Sequence, residues 1–184
     1  MTRTAIRQAA LRHFAAQGFN GASMAGIAAD VGIKAPAIYA HYTGKTQLFL
    51  DVLNHAIERE LAYAREFLAR EGNAEDVLAA FLRETAHRFE ETPHLRFMLN
   101  TAYLPPRKVA AEIAEPVSRY MINMEIIIAN VFKRLPPCRI PPDQMAAAYM
   151  GIMDSVQAEV LYGGKERFLK RLDALWELFR LALT

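Results

Sequence analysis

The stretch 24–38, MAGIAADVGIKAPAI, restricts what this chain can become more than any other. Two short helices joined by a tight turn can cross steeply only if certain places hold certain side chains. Counted from Met24, the fourth, eighth, tenth and fifteenth places must be apolar, and Ile27, Val31, Ile33 and Ile38 fill them. The fifth must be small because the second helix passes over it, and it is Ala28. The ninth must take a left-handed backbone conformation, which is least costly for glycine, and it is Gly32. The spacing predicts a helix-turn-helix, with a plain helical hairpin as the competing reading.

The rest of the chain reads as helix. Segment 3–17 sets Ile6, Ala10 and Phe14 on one face and ends at Gly18. Ser23 is an N-cap residue for 23–30, and Pro36 falls in the first turn of a helix over 34–42, where it is tolerated. A long helix is expected over 45–71 and another over 75–91. Pro93, Pro105, Pro106 and Pro116 divide the middle. The loop 136–142, PPCRIPP, separates a helix over 117–135 from one over 143–162, and Gly163 and Gly164 precede a last helix over 165–183. No alternating run of strand length occurs. The expected fold class is all-α, with a helix-turn-helix domain over 1–45 and a helical body over 46–184.

Composition and charge narrow the function. The chain is 53% hydrophobic and 23% charged, a balance that folds and is not that of a disordered segment. One cysteine, Cys138, can form neither an internal disulfide nor a thiolate metal site, so nothing calls for an oxidising compartment and a cytoplasmic location is expected. No apolar run is long enough to span a membrane, and Arg3, Arg7 and Arg12 interrupt any secretory signal. Residues 1–50 carry five basic side chains against Asp30 alone, net +4, while the remainder is net −2. That division points to a polyanion-binding head on a body with another task. A merely solvated basic face is one rival. A mitochondrial presequence is another, but it would leave residues 1–29 dispensable, whereas Phe14, Phe19 and Ile27 read as core.

Catalytic chemistry finds little support. The five histidines never form a His-x-x-x-His pair, and no nucleophile elbow or phosphate loop occurs. His87 and His94 stand seven apart with Pro93 between them. Cys138, beside Arg139, is either a redox thiol or a plain loop cysteine. No enzyme activity, metal or cofactor is expected.

Residues 5–49 resemble the N-terminal DNA-binding domain of TetR-type transcriptional regulators. The pieces that carry the resemblance are Gly18-Phe19, Ser23-Met24 with Ile27-Ala28, Val31-Gly32-Ile33, Ile38-Tyr39, His41-Tyr42, and Lys45 with Leu48-Phe49. It implies phosphate contacts for Ser23, Tyr39, His41 and Lys45. Their chemistry agrees: a phenol and an imidazole can donate to phosphate oxygens, and Lys45 opens a helix whose free amides already favour an anion. Two departures bear on specificity. Ala22 stands where relatives commonly have Thr, and Lys34 where a Ser or Thr often caps the recognition helix. The base-facing positions are then Lys34, Ala35, Pro36, Ala37 and Ala40, of which Lys34 alone can hydrogen-bond a base edge. Modest direct readout is expected, with DNA shape and an arm carrying Arg3 into a minor groove supplying more.

For the body, the resemblance implies a dimer through the last two helices and a bound small molecule. In 143–162 the residues Ala148, Gly151, Ser155, Ala158 and Tyr162 form a stripe, mostly small, that would let a partner helix approach closely. In the last helix apolar residues including Trp176 and Phe179 cover about 180°, wider than the roughly 100° a one-sided helix needs, so both are assigned to the interface. Phe97, Met98, Tyr120, Met121, Met124, Met150, Met153 and Gln157 are the candidate ligand contacts, flexible and aromatic side chains that suit an apolar or aromatic molecule, with ordinary core packing as the competing reading. Asn100 and Asn123 are further polar groups able to orient it. A homodimeric repressor released from a palindromic operator by such a molecule is the expected function. Induction and co-repression both fit the sequence.

Overall fold

A computed structural model describes residues 2–136 and 139–183. Cys138 lies outside the described residues. Those residues form nine α-helices and no strand. The helices are α1 (Arg3–Gly21), α2 (Met24–Asp30), α3 (Ala35–Tyr39), α4 (Lys45–Leu68), α5 (Ala74–Glu91), α6 (Pro93–Tyr103), α7 (Ala110–Phe132), α8 (Pro142–Tyr162) and α9 (Gly164–Arg180), with a short 3-10 turn at Arg107–Val109. No helix among the described residues is long and apolar enough to cross a membrane.

Two compact units divide the chain. One comprises Met1–Glu60 and Thr92–Ser118, the other Leu61–Glu91 and Arg119–Thr184. The first therefore holds more than the helix-turn-helix, since α6 and the start of α7 belong to it. Its centre is aromatic: Phe49 of α4 meets Phe14 and Phe19 of α1 and Phe97 of α6 edge-on, at ring separations of 4.9, 5.2 and 5.2 Å. Such edge contacts set the positive rim of one ring against the negative face of the next. In the second unit, Tyr149 of α8 is fully buried and meets Phe132, Trp176 and Phe179 edge-on. Its hydroxyl donates to the Leu78 carbonyl at 2.8 Å, as a buried phenol must.

Several boundaries differ from the sequence reading. Helix α1 continues past Gly18, which takes φ +66° and kinks it, before one more turn carries Phe19 into the core. Helix α4 stops at Leu68, where the Arg134 guanidinium donates to the carbonyls of Leu68 and Arg70 at 3.0 and 3.1 Å. Helix α7 begins at Ala110 and runs through Pro116, which was expected to break it. A proline in the seventh place removes one amide bond, the one to Glu112, whose exposed position leaves that carbonyl to water.

Candidate nucleic-acid interface

The turn between α2 and α3 is closed by the backbone. After Asp30, the Gly32 N–H donates to the Ala29 carbonyl and the Ile33 N–H to the Ala28 carbonyl, each at 3.0 Å. This paired pattern terminates a helix with a left-handed residue, and Gly32 takes it at φ +71°. Ile27, Ala28 and Ile38 are buried, while Val31 and Ile33 are half-buried. At the other end of α2, the Ser23 hydroxyl accepts the Gly26 N–H at 3.0 Å. The Arg12 guanidinium donates to the Asp30 carboxylate at 2.8 Å and ties α1 to α2.

With Ile38 and Tyr42 turned inward, the opposite side of α3 faces solvent. Lys34, Pro36, Ala37, Ala40 and His41 are exposed, Tyr39 is 54% exposed, and Ala35 is half-buried. Among the described residues, the side chains of Lys34, Tyr39 and His41 make no hydrogen bond or ion pair. Three polar groups thus project, unengaged, from one short helix and its flanks.

Lys45 is placed differently from these three. Its ammonium donates to the Ala22 carbonyl at 2.9 Å and stands 4.7 Å from the centre of the Phe19 ring. The side chain clamps the start of α4 to the turn that precedes α2. Beside it, the Gln47 side-chain oxygen accepts the Thr43 N–H at 2.6 Å and the Thr43 hydroxyl at 3.2 Å. Helix α4 has no acid in its first turn, so its free amides meet no negative charge there.

Arg3, expected on an arm reaching a minor groove, is engaged within the chain. Arg3 opens α1, and its guanidinium donates to the Tyr42 hydroxyl at 3.3 Å and to Asp51 at 3.1 Å. The Tyr42 hydroxyl in turn donates to Asp51 at 2.8 Å, and Arg7 approaches the same carboxylate at 3.8 Å. Burial and the carboxylate raise the Tyr42 phenol above its usual value, so it stays a donor. Asp51, one residue past the stretch counted as basic, thus engages two of its arginines. The sequence reading did not single out Asp51, Thr43 or Gln47; Thr43 and Gln47 stand four apart, one more than a reciprocal helix cap needs, so no spacing rule marked them.

Body residues fall into three groups. On α8, Ala148, Gly151 and Tyr162 are exposed and Ser155 and Ala158 half-buried, so the stripe is an outer face. On α9, however, Trp176 and Phe179 are buried against Tyr149 and Phe132 of the same chain, which removes both from the expected dimer surface. The large exposed apolar residues of α9 are Leu169 and Leu178, with Leu181 just past its end. Glu159 of α8 receives Arg167 and Arg171 of α9, at 3.2 and 2.7 Å. Of the ligand candidates, Phe97 and Met98 are buried in the first unit, and Tyr120, Met124, Met150, Met153 and Gln157 in the second, with Met121 half-buried. Only Phe97 lines one of the described cavities. Asn123 donates to the Arg119 carbonyl at 2.8 Å, whereas Asn100 faces a cleft in the first unit.

Residues 6–52 match the family model described as bacterial regulatory proteins, tetR family. Over 101 residues the chain is 33% identical to the HTH-type transcriptional repressor ComR of Escherichia coli strain K12; the match covers 53% of this chain and 48% of ComR. The chain thus spans about half the length of that curated relative. Among solved structures, the regulator CifR bound to a 26-base-pair operator is similar over 96% of both chains, at 22% identity and a TM-score of 0.77. FadR of Bacillus subtilis, solved with stearoyl-CoA, is similar over 97% of both chains, at 14% identity and a TM-score of 0.69. At these identities the likeness is one of fold.

Proposed function

We propose that the chain, whose residues 6–52 match the tetR family of bacterial regulatory proteins, is a member of that family and a homodimeric transcriptional repressor released from a palindromic operator by a small apolar or aromatic molecule. The observation that carries the DNA-binding part is the set of exposed, unengaged side chains Lys34, Tyr39 and His41 around a helix anchored by Ile38 and Tyr42. A helix presented this way enters a major groove with its first residues at base edges and its flanks at phosphates. Tyr39 and His41 donate to phosphate oxygens, joined by the Ser23 hydroxyl proton and the amides that open α4. Lys34 reads a base edge, and Ala35, Pro36 and Ala37 offer only apolar contact to thymine methyls. Lys45 keeps two ammonium protons beyond the one given to Ala22, so it supports a phosphate while holding the scaffold.

One helix-turn-helix reads a half-site weakly, and a two-fold dimer reads two. The exposed residues of α8 and α9 offer the surface: the stripe Ala148, Gly151, Ser155, Ala158 and Tyr162, with Leu178 of α9 and Leu181 just past it. An effector held by Tyr120, Met121, Met124, Met150, Met153 and Gln157 favours a dimer whose recognition helices no longer match successive grooves, about 34 Å apart. Linkage then requires operator DNA to weaken effector binding by the same factor. ComR is itself a repressor and CifR was solved on operator DNA, and both support the reading.

Two measurements test it. Mobility shifts on a mixed-sequence duplex should show binding that weakens steeply with salt, and Tyr39→Phe with His41→Ala should weaken it at every salt. Sedimentation should give a dimer that Leu178→Glu converts to monomer. Salt-insensitive or absent DNA binding, or a wild-type monomer on a two-fold DNA site, refutes the respective part.

A further inference from the structure

A cleft of about 260 Å³ opens within the first unit, between α1, α4 and α6. Its floor is the aromatic cluster Phe14, Phe19, Phe49 and Phe97, and two polar groups face it, Asn100 and Thr101 of α6. Thr101 is only 4% exposed, and its hydroxyl makes no hydrogen bond among the described residues. The Asn100 carboxamide, half-exposed, likewise makes none. Arg7 Nε is the one buried side-chain polar atom without a partner among the described residues, so the Thr101 hydroxyl and the Asn100 amide both keep access to the cleft and are free to bond what enters it. The wall at Gly18 has no side chain, and its φ of +66° excludes most others, so the opening is built into the backbone. Leu104, 57% exposed, stands at the mouth.

We infer that this cleft is a binding site for a small, neutral aromatic molecule carrying one hydroxyl or carbonyl. The size admits one or two rings, below the range of drug-sized ligands. The rings of the cluster contact its faces and edges, while the Thr101 hydroxyl and the Asn100 amide take its polar group, each able to donate and accept. No Asp, Glu, Lys or Arg lines the cleft, so a charged ligand would lose its hydration without a counter-charge. Of the candidate ligand contacts it includes Phe97 alone; those assigned to the effector on α7 and α8 do not line it. It touches the DNA-binding head directly: Phe19 carries the Lys45 ammonium, and Lys45 holds the turn before α2. That consequence for DNA rests on the regulator reading; the binding itself does not.

The test uses 2-naphthol, the full-length protein and no DNA. Calorimetry and ligand-observed NMR should show saturable binding with a dissociation constant below about 1 mM, with transfer between the naphthol ring and Phe97. Thr101→Val keeps the shape and removes the hydroxyl, and should weaken binding about 3- to 10-fold, the worth of one neutral hydrogen bond. Ala15→Phe fills the cleft and should abolish binding while circular dichroism stays that of the wild type. Failure of the wild type to bind, or binding left undiminished by Thr101→Val, overturns the site. DNA binding measured on the same samples separates the two readings: a protein that binds DNA and not naphthol refutes the cleft alone, and one that binds naphthol and not DNA refutes the regulator alone.

Discussion

Replacing Lys45 with methionine keeps most of the side chain and removes only its charge. The structure gives that charge a bond of 2.9 Å to the Ala22 carbonyl and a place 4.7 Å from the Phe19 ring. A hydrogen bond from a charged donor is worth about 1.5–3 kcal/mol, and a cation over an aromatic face about 0.5–1 kcal/mol where water has access. Methionine regains part of the second through sulfur–aromatic contact, so the expected loss is about 2 kcal/mol, a factor of about 30 in an opening equilibrium. Trp176, the single tryptophan, lies in the other unit, so its fluorescence does not report on this loss. Amide hydrogen exchange does: protection of α1 and α2 should fall about 30-fold, with α8 and α9 unchanged. A DNA titration completes the assay. With one phosphate-neutralising cation fewer on each protomer, the slope of log affinity against log salt falls by about 0.9 per protomer. Exchange rates in α1 and α2 equal to the wild type would refute the clamp, whatever happened to the salt slope.

Acidification should destabilise the first unit. The rings of His55 and His94 lie 5.6 Å apart, and burial holds both below their ordinary value, helped on His94 by His55 and then Arg59 and Arg7, and on His55 by Arg7 and Arg59 with Glu58 opposing. A histidine neutral in the fold and free to protonate when unfolded contributes its full stability above about pH 6.5 and loses it as pH falls from there towards the depressed value. Exchange protection of α4 and α6 should therefore drop as pH falls below about 6.5, and His94→Gln should flatten the drop; equal slopes in both proteins would refute it. Tyr149→Phe removes the hydroxyl's bond to the Leu78 carbonyl, which keeps its helical amide partner, and should cost about 0.5–1.5 kcal/mol in denaturant titrations followed by Trp176; a change under about 0.3 kcal/mol would contradict the buried bond. Gly163→Ala should loosen the α8–α9 connection, because a Cβ there would collide with the Glu159 carboxylate and push it off Arg167 and Arg171; α9 exchange rates unchanged by the substitution would contradict that packing.

Local rules made the head legible. The places for Ile27, Ala28, Gly32 and Ile38 follow from the steric demands of two crossing helices, and Ser23 from the need to satisfy the first amides of α2. Asp51 was not legible, because its partners Arg3 and Arg7 lie more than forty positions away and only packing brings them together. Lys45 was read as a point charge at a helix start; that it bends back to the Ala22 carbonyl depends on where α1 ends after its kink at Gly18. Periodicity also misled at Trp176 and Phe179. The apolar arc of α9 is wide because Tyr149 and Phe132 fill it from within the chain, and an arc alone does not tell an inner neighbour from a partner subunit. The cleft over Phe49 escaped notice for a related reason, since Gly18, Phe49 and Thr101 are far apart in sequence and each reads as ordinary punctuation or core.

Selection of bound duplexes from a random pool tests the central claim most directly, and should be run with the wild type and with Lys34→Ala in parallel. If α3 reads a major groove from a two-fold dimer, the wild type enriches an inverted repeat whose half-sites lie about one helical turn apart, and Lys34→Ala relaxes the preference at one base pair in each half. A wild-type pool that stays random after selection, or one identical to that of Lys34→Ala, would contradict the account.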